Sequence, residues 1–376
     1  MSELLLTQEV GSLAKPDWRI SAVRDGVLTD AHIADAVAWA ERLGIDPDWT
    51  DTSFHRYQEW LRCGDPTCND GAITGIKDDA ARFAVALQET AGIDIVYDGE
   101  QDRSEMYEYA VARTNGFDWR GRVRAFDNKS YRKAAVVSDV SPKEPWHEWE
   151  VARLQDNTTH PIKVPITGAY TLAAWSYDEH YGDRRQFVGA LARDVIRPNI
   201  EQLLEAGVEW IQIDEPAATT VPEEVGLFVE SFNEATRDLI GKFSVHICFS
   251  DYSRLFPYVS ELENCDQFSL EFANRDGREL GTDKAQRPAY KILGQLAEYC
   301  PDASVGLGVT SVHDDILETP QLVRDRVLRA VDIIGDPAKV FPSPDCGLRT
   351  RSWDVAFDKL RVTSEGTALA RQALGV

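Results

Sequence analysis

Short apolar runs alternate along the chain with longer amphipathic stretches. Eight of the runs have the length of a β-strand, are rich in valine and isoleucine, and are mostly bounded by Gly, Pro, Asp or Asn. They are residues 4–10, 93–97, 162–166, 208–213, 243–248, 267–272, 304–309 and 339–343. The apolar spacing between them is that of helices, for example in 187–207, 221–241 and 320–335.

Strands that alternate with helices predict a parallel sheet with right-handed crossovers. Eight strands are the number in a (β/α)₈ TIM barrel, for which ~250 residues suffice. We therefore predict an α/β fold in which residues 1–376 form one such barrel with insertions. One insertion is helical and polar, around residues 28–90. The other lies at about 104–160, where the segment VRAF and residues 135–140 predict a small hairpin.

Composition excludes several classes of protein. The chain has no apolar run long enough to span a membrane, and its first residues are not expected to form a secretory signal. Six cysteines are too sparse for a disulfide scaffold in 376 residues, which favours the reducing cytoplasm. A formal charge of −23 argues against nucleic acid, because a polyanion needs a basic surface. We expect a cytoplasmic protein without membrane or nucleic-acid partners.

Residues that commonly bind metals stand at the ends of three late strands. His246 and Cys248 close the fifth predicted strand, Glu271 closes the sixth and Cys346 follows the eighth. Because side chains alternate along a strand, His246 and Cys248 point to the same side. The carboxyl ends of barrel strands meet at one face, so all four side chains are expected to converge.

Imidazole, thiolate and carboxylate together suit zinc better than magnesium or calcium. The His-x-Cys pair alone, or Cys346 alone, is better accounted for by core packing, but the convergence of all of them favours Zn²⁺. Cys265 and Cys300 precede strands and are predicted to pack near the opposite face. Cys63 and Cys68 have the spacing C-x₄-C, which leaves open whether they bind a second metal. No second pair of ligands is evident that would complete such a site.

Five segments carry a resemblance to a known family. They are TQEVGS at 7–12, DGEQDRSEMYEY at 98–109, QIDEPA at 212–217, HICFSDY at 246–252 and PDCGLRTR at 344–351. In this order they resemble motifs of the catalytic C-terminal half of cobalamin-independent methionine synthase. The resemblance implies a homocysteine S-methyltransferase (EC 2.1.1.-) of methionine biosynthesis that uses zinc to activate the homocysteine thiol.

The resemblance implies roles for particular residues. The zinc ligands would be the same four residues, although the context SLEFANR around Glu271 departs from the family pattern. Ser12 and its neighbouring backbone would hold the homocysteine carboxylate, and Glu100 and Asp214 the ammonium group. His313 matches a histidine thought to act as an acid, and Trp175 a tryptophan near the methyl donor. From the residues alone, each of these residues keeps a second interpretation: a turn for Glu100 and Asp214, a solvent-facing helix start for His313, and packing for Trp175.

The methyl donor stays open between methyltetrahydrofolate and methylcobalamin or another methylcorrinoid, including one on a corrinoid protein. The full-length family has a second, N-terminal barrel that helps to bind polyglutamylated folate, and this chain is too short for both barrels. We expect a corrinoid or another donor without a polyglutamate tail. The alternatives are a non-catalytic zinc protein, a decarboxylase on a related barrel, and another zinc-dependent thiol alkyltransferase such as an epoxyalkane:coenzyme M transferase. Glu100 and Asp214 argue against the last, because coenzyme M has no ammonium group.

Overall fold

The first third of the chain is mainly helical. A computed structural model describes residues 4–124 and 130–376. Its first helices are α1 (Asp17–Asp25), α2 (Asp30–Leu43), α3 (Pro47–Cys63) and α4 (Pro66–Thr90). The side chains of Thr29, Asp46 and Asp65 cap the last three at their N-termini by accepting backbone hydrogen bonds. The helical insertion predicted around 28–90 is therefore present.

An antiparallel hairpin follows the short helix α5 (Met106–Ala112). It consists of β1 (Thr114–Arg124) and β2 (Ser130–Pro142). Residues 135–140 lie in β2 as predicted, and the first half of VRAF lies in β1, whereas Ala125 and Phe126 lie outside the described residues. The next elements are α6 (Glu148–Asn157), β3 (Lys163–Thr167), α7 (Ala169–Ala174) and β4 (Tyr177–Asp178), of which β4 pairs with β2.

Strands and helices alternate through the rest of the chain. The elements are α8 (Arg184–Leu191), a π-helical turn (Ala192–Ile196), α9 (Arg197–Glu205), β5 (Trp210–Asp214), α10 (Val225–Thr236), β6 (Lys242–Ile247), β7 (Gln267–Leu270), α11 (Lys291–Tyr299), β8 (Ser304–Thr310), α12 (Pro320–Ile334), β9 (Val340–Pro344) and α13 (Trp353–Leu374). Six strands form one parallel sheet in the order β3-β5-β6-β7-β8-β9. The chain therefore has the predicted α/β fold with a parallel sheet.

The first two predicted strands make single bridges instead of full ladders. Gln8 pairs in parallel with Ile95, and Val96 pairs with Ile162 just before β3. On the opposite side of the segment 4–10, the Gln8 N–H donates to the carbonyl of Pro342 in β9 at 2.9 Å. Residues 4–10 thus lie between β9 and residues 93–97, which in turn lie beside β3.

Polar side chains meet inside the sheet. The Gln8 amide donates to the Gln267 amide oxygen at 3.1 Å, and the Lys163 ammonium donates to Gln8 at 2.9 Å. All three residues are buried.

Among the helices of the described residues, none is both long and apolar enough to cross a membrane.

Candidate active site

Three soft donor atoms converge where β6 and β9 end. The ligand atoms of His246, Cys248 and Cys346 all lie within 4.8 Å of one another. His246 Nδ1 lies 3.0 Å from the carbonyl oxygen of Ser269, and Nε2 lies 3.4 Å from Cys346 Sγ. Because a carbonyl only accepts, Nδ1 donates to Ser269, and Nε2 is the nitrogen that faces the cluster. A backbone carbonyl commonly orients metal-binding histidines in this way.

The chemistry of this donor set fits zinc. The hydrogen bond with Cys248 raises the pKa of the Cys346 thiol well above its usual range, since two neighbouring sulfurs resist double ionisation. Burial lowers the pKa of His246, but the charge and hydrogen bond of Cys346 outweigh it and raise that pKa to about 9. Without a cation the cluster therefore retains protons. A dication would compensate two thiolates, and an imidazole with two thiolates is a common set of zinc ligands.

Glu271 makes a separate set of contacts beside this cluster. Its carboxylate accepts hydrogen bonds from the Phe249 N–H at 2.8 Å and the Asn274 amide at 2.7 Å, and one oxygen lies 3.4 Å from His313 Nε2. Burial would raise the pKa of this carboxyl group, but His313 and the two N–H donors lower it to about 2. Among the described residues, the group of donors within 4.8 Å does not include Glu271.

Ser12 lies against the loop that carries Cys346. A Cβ atom at Gly347 would stand only 2.5 Å from Ser12 Oγ, so glycine permits this close approach. The same loop is held from another side, because Asp345 accepts hydrogen bonds from the backbone N–H groups of residues 272–274 at 2.7–2.8 Å. The loops that follow β7 and β9 are therefore fixed to each other.

Two buried carboxylates lie near this point. Asp214 pairs in register with His246 on the neighbouring strand and accepts a hydrogen bond from the Gln212 amide at 2.8 Å. Burial raises the pKa of Asp214 to about 6. Glu100 has a left-handed backbone (φ 58°), and its carboxylate lies 3.6 Å from the Arg103 guanidinium. Both carboxylates are thus held by neighbouring donors.

Trp175 lies directly after α7. Its ring packs edge-on against Tyr107, with ring centroids 6.1 Å apart, so it contacts the segment that also carries Glu100.

Cys63 and Cys68 belong to no group of three or more metal ligands in the described part of the chain. A second metal site at these two cysteines stays a prediction.

Comparison with known proteins identifies the relationship. The family model for the catalytic domain of cobalamin-independent synthase matches residues 70–368. The chain belongs to the cobalamin-independent methionine synthase family. Methionine synthase of Thermoplasma volcanium is 39% identical over 289 residues, which are 73% of this chain and 83% of that protein. Methionine synthase of Saccharolobus islandicus is 36% identical over 375 residues, 99% of this chain and 96% of that protein.

A solved structure of the family is similar over the whole chain. The B12-independent methionine synthase of Shewanella sp. W3-18-1, solved in complex with selenomethionine, superposes with a TM-score of 0.75. It is 26% identical, and the match covers 99% of both chains. The cobalamin-independent methionine synthase resemblance expected from the motifs is confirmed at the level of family.

Sequence reasoning missed two features of this cobalamin-independent methionine synthase site. One is the buried pair in which Arg103 donates to Glu150 at 2.8 and 2.9 Å, behind Glu100. The other is the contact of Asp345 with the loop after β7. An aspartate directly before a candidate metal-binding cysteine was a visible signal for the second. No signal in the sequence pointed to Glu150, because it lies 47 positions from its partner Arg103.

Proposed function

We propose that this chain transfers a methyl group to the thiol of L-homocysteine and produces L-methionine. The observation that carries the proposal is the grouping of His246, Cys248 and Cys346 beside the buried carboxylate of Asp214. Soft donors suit a site that activates a thiol, and a carboxylate next to it suits the ammonium group of an amino acid. Membership of the methionine synthase family supports the same reaction.

The fold proposal is a single, closed (β/α)₈ TIM barrel over residues 1–376 with an insertion at about 104–160. Residues 4–10 and 93–97 support closure because their hydrogen bonds connect β9 to β3. Contacts of Gln8 with Lys163 and Gln267 also support it, since these side chains come from different strands and meet inside. Catalytic residues at the carboxyl ends of strands are typical of such barrels.

His246, Cys248 and Cys346 would hold Zn²⁺, and Glu271 stays the proposed fourth ligand. Bound zinc would supply a Lewis acid that lowers the pKa of the homocysteine thiol. Glu271 is 1% exposed and has a low pKa, so it is available to the site as a carboxylate.

The remaining residues bind and orient the substrates. Ser12 and the adjacent backbone would hold the carboxylate of homocysteine, and Glu100 and Asp214 its ammonium group. The thiolate then attacks the methyl carbon in line with the departing group. The contact with Glu271 raises the pKa of His313, which favours the protonated imidazole, and Nε2 would be the nitrogen that donates the proton.

The donor in this proposal is a methylcorrinoid or methyltetrahydrofolate, with Trp175 near it. A folate amine needs a proton as it departs, which His313 would supply, whereas a cobalt(I) leaving group needs none. The acidic surface, with a net charge of −23, favours a donor without a polyglutamate tail. Cytoplasmic localisation belongs to the same proposal and accords with six cysteines that are all free.

The decisive experiment supplies zinc-loaded protein with homocysteine and measures methionine. Separate reactions contain methylcobalamin, monoglutamyl methyltetrahydrofolate, or its triglutamyl form. A further reaction offers coenzyme M and an epoxide, which tests the other thiol alkyltransferase. Methionine from at least one donor is expected, and its absence from every reaction would contradict the proposal.

Cys346→Ser tests the metal site in the same assay. We expect zinc content to fall to background and methionine formation to drop by more than about 100-fold, because one soft ligand is lost. Cys300→Ser is the matched control, since Cys300 lies at the end of α11 and should leave both quantities unchanged. Full activity in Cys346→Ser would eliminate the proposed site.

A further inference from the structure

Phe249 adopts a backbone conformation that its own burial does not explain. It follows Cys248 directly and has φ 53°, in the left-handed region that residues with a bulky side chain rarely occupy. Its side chain is 51% exposed, so hydrophobic burial offsets little of this strain. Such residues persist where surrounding contacts hold them, and they cluster at functional sites.

The strained backbone directs Phe249 at two other groups of the site. Its N–H points to Glu271 Oε2 at 2.8 Å. Its ring packs edge-on against the imidazole of His313, with centroids 4.7 Å apart and an interplanar angle of 78°. His313 Nε2 in turn lies 3.4 Å from Glu271 Oε1. The three residues therefore contact one another in a closed triangle.

His313 depends on these contacts for its orientation. It lies in residues 311–319, which contain neither helix nor strand, and its side chain is 26% exposed. Its backbone N–H donates to Ser311 Oγ, which fixes the main chain but not the ring. The Phe249 ring and the Glu271 carboxylate both contact the imidazole itself.

We propose that Phe249 is a positioning residue for methyl transfer, whose ring holds the His313 imidazole against Glu271. The inference rests on the proposed function and deepens it, because it names the group that orients the proton donor. The competing role is direct contact between the exposed half of the ring and the methyl donor. These two roles differ in whether Phe249 acts through His313.

A double-mutant cycle distinguishes the positioning role of Phe249 from direct contact with the methyl donor. Phe249→Leu keeps an apolar side chain but removes the aromatic edge, so we expect kcat to fall about tenfold while the KM for homocysteine and the zinc content stay unchanged. In the His313→Asn background, the same substitution should cause no further loss. Phe249→Tyr should restore wild-type kcat, and Tyr258→Leu, a 39% exposed aromatic outside the site, is the matched control.

Three kinetic results would overturn the proposal. In the first, the losses of kcat in the two single variants multiply in the double variant. In the second, Phe249→Leu raises only the KM of the methyl donor. In the third, Phe249→Leu retains wild-type kcat. The kinetic cycle uses methyltetrahydrofolate as the donor, because its departing amine needs the proton that His313 would supply, whereas a corrinoid donor needs none.

Nuclear magnetic resonance provides a readout that does not need turnover. Histidine-labelled, zinc-loaded protein should show a His313 ring signal, assigned with His313→Asn, that moves in Phe249→Leu and stays near its original position in Phe249→Tyr. An unmoved signal in Phe249→Leu would refute the positioning role. If the wild type makes no methionine from any donor, the proposed function fails, but this measurement still decides whether Phe249 orients His313.

Discussion

At the scale of single residues, Asp214 connects the metal donors with the proposed amino-acid pocket. It ends β5 in register with His246, and the Gln212 amide fixes one of its oxygens. Its side chain is therefore held beside the cluster, where we propose that it binds the ammonium group of homocysteine. A buried carboxylate that meets a cation contributes a charge-assisted hydrogen bond, which is stronger than a neutral one.

Asp214→Asn tests this assignment. We expect the KM for homocysteine to rise about 10- to 100-fold, since a hydrogen bond to a charged group contributes about 1.5–3 kcal/mol. Inhibition by 4-mercaptobutanoate, which lacks the amino group, should be nearly unchanged and serves as the control. Equal losses for both thiols would instead indicate damage to the metal centre.

Residue-level prediction from sequence had a clear limit. The spacing of His246 and Cys248 predicted that both point the same way, and their ligand atoms lie in one group. The sequence did not reveal the left-handed backbone of Phe249, which depends on a hydrogen bond to Glu271, 22 positions away. Contacts between distant loops determine such details, so local pattern cannot supply them.

At the scale of secondary structure, the predicted strands differ in how much pairing they form. Residues 210–213 of one predicted strand and 304–308 of another form ladders with neighbouring strands, whereas 4–10 and 93–97 form isolated bridges. Proline contributes to the difference, because Pro161 and Pro342 lack the N–H that a longer ladder would need. Apolar pattern predicts that a segment is extended, but the extent of its pairing depends on both neighbours.

The pair of helices α3 and α4 contains a buried acid with an unusual pKa. Asp79 on α4 is 5% exposed and lies near Tyr57 on α3, and burial raises its pKa to about 7. The folded protein therefore binds this proton more tightly than the unfolded chain does. Stability is reduced as pH rises from the unfolded pKa of 3.8 to about 7, because the carboxyl group resists ionisation only in the folded state.

Asp79→Asn should remove this pH-dependent loss. We expect the free energy of unfolding to exceed that of the wild type by up to about 4 kcal/mol at pH 8, and by less than about half of that at pH 5. Urea denaturation at both pH values measures it. Asp70→Asn on the same helix is the control, because Asp70 is exposed. A gain that is independent of pH would show that the charge is not its cause.

At the scale of the whole molecule, charge is the dominant surface property. The chain has 63 acidic and 40 basic residues. Many of its ion pairs are single and solvent-exposed, and such pairs contribute little to stability. Net repulsion among the carboxylates therefore outweighs them and opposes the compact state.

Added salt should therefore stabilise the protein. Between about 0.02 and 0.5 M NaCl we expect Tm to rise by a few degrees, because the screening length falls below the spacing of surface charges. Circular dichroism follows the unfolding, and KCl should act equally, since screening does not depend on the cation. A fall in Tm would show that attractive pairs dominate.

The crowding of Cys248, Cys346 and His246 also affects how the protein must be handled. Two neighbouring thiols without a metal are open to oxidation, and soft ions such as cadmium or mercury compete for the same sulfurs. Dithiothreitol, often added to prevent oxidation, is itself a thiol that resembles the proposed substrate. Preparations made with chelators, in air, or with different reductants should thus differ in specific activity although their sequence and fold are identical.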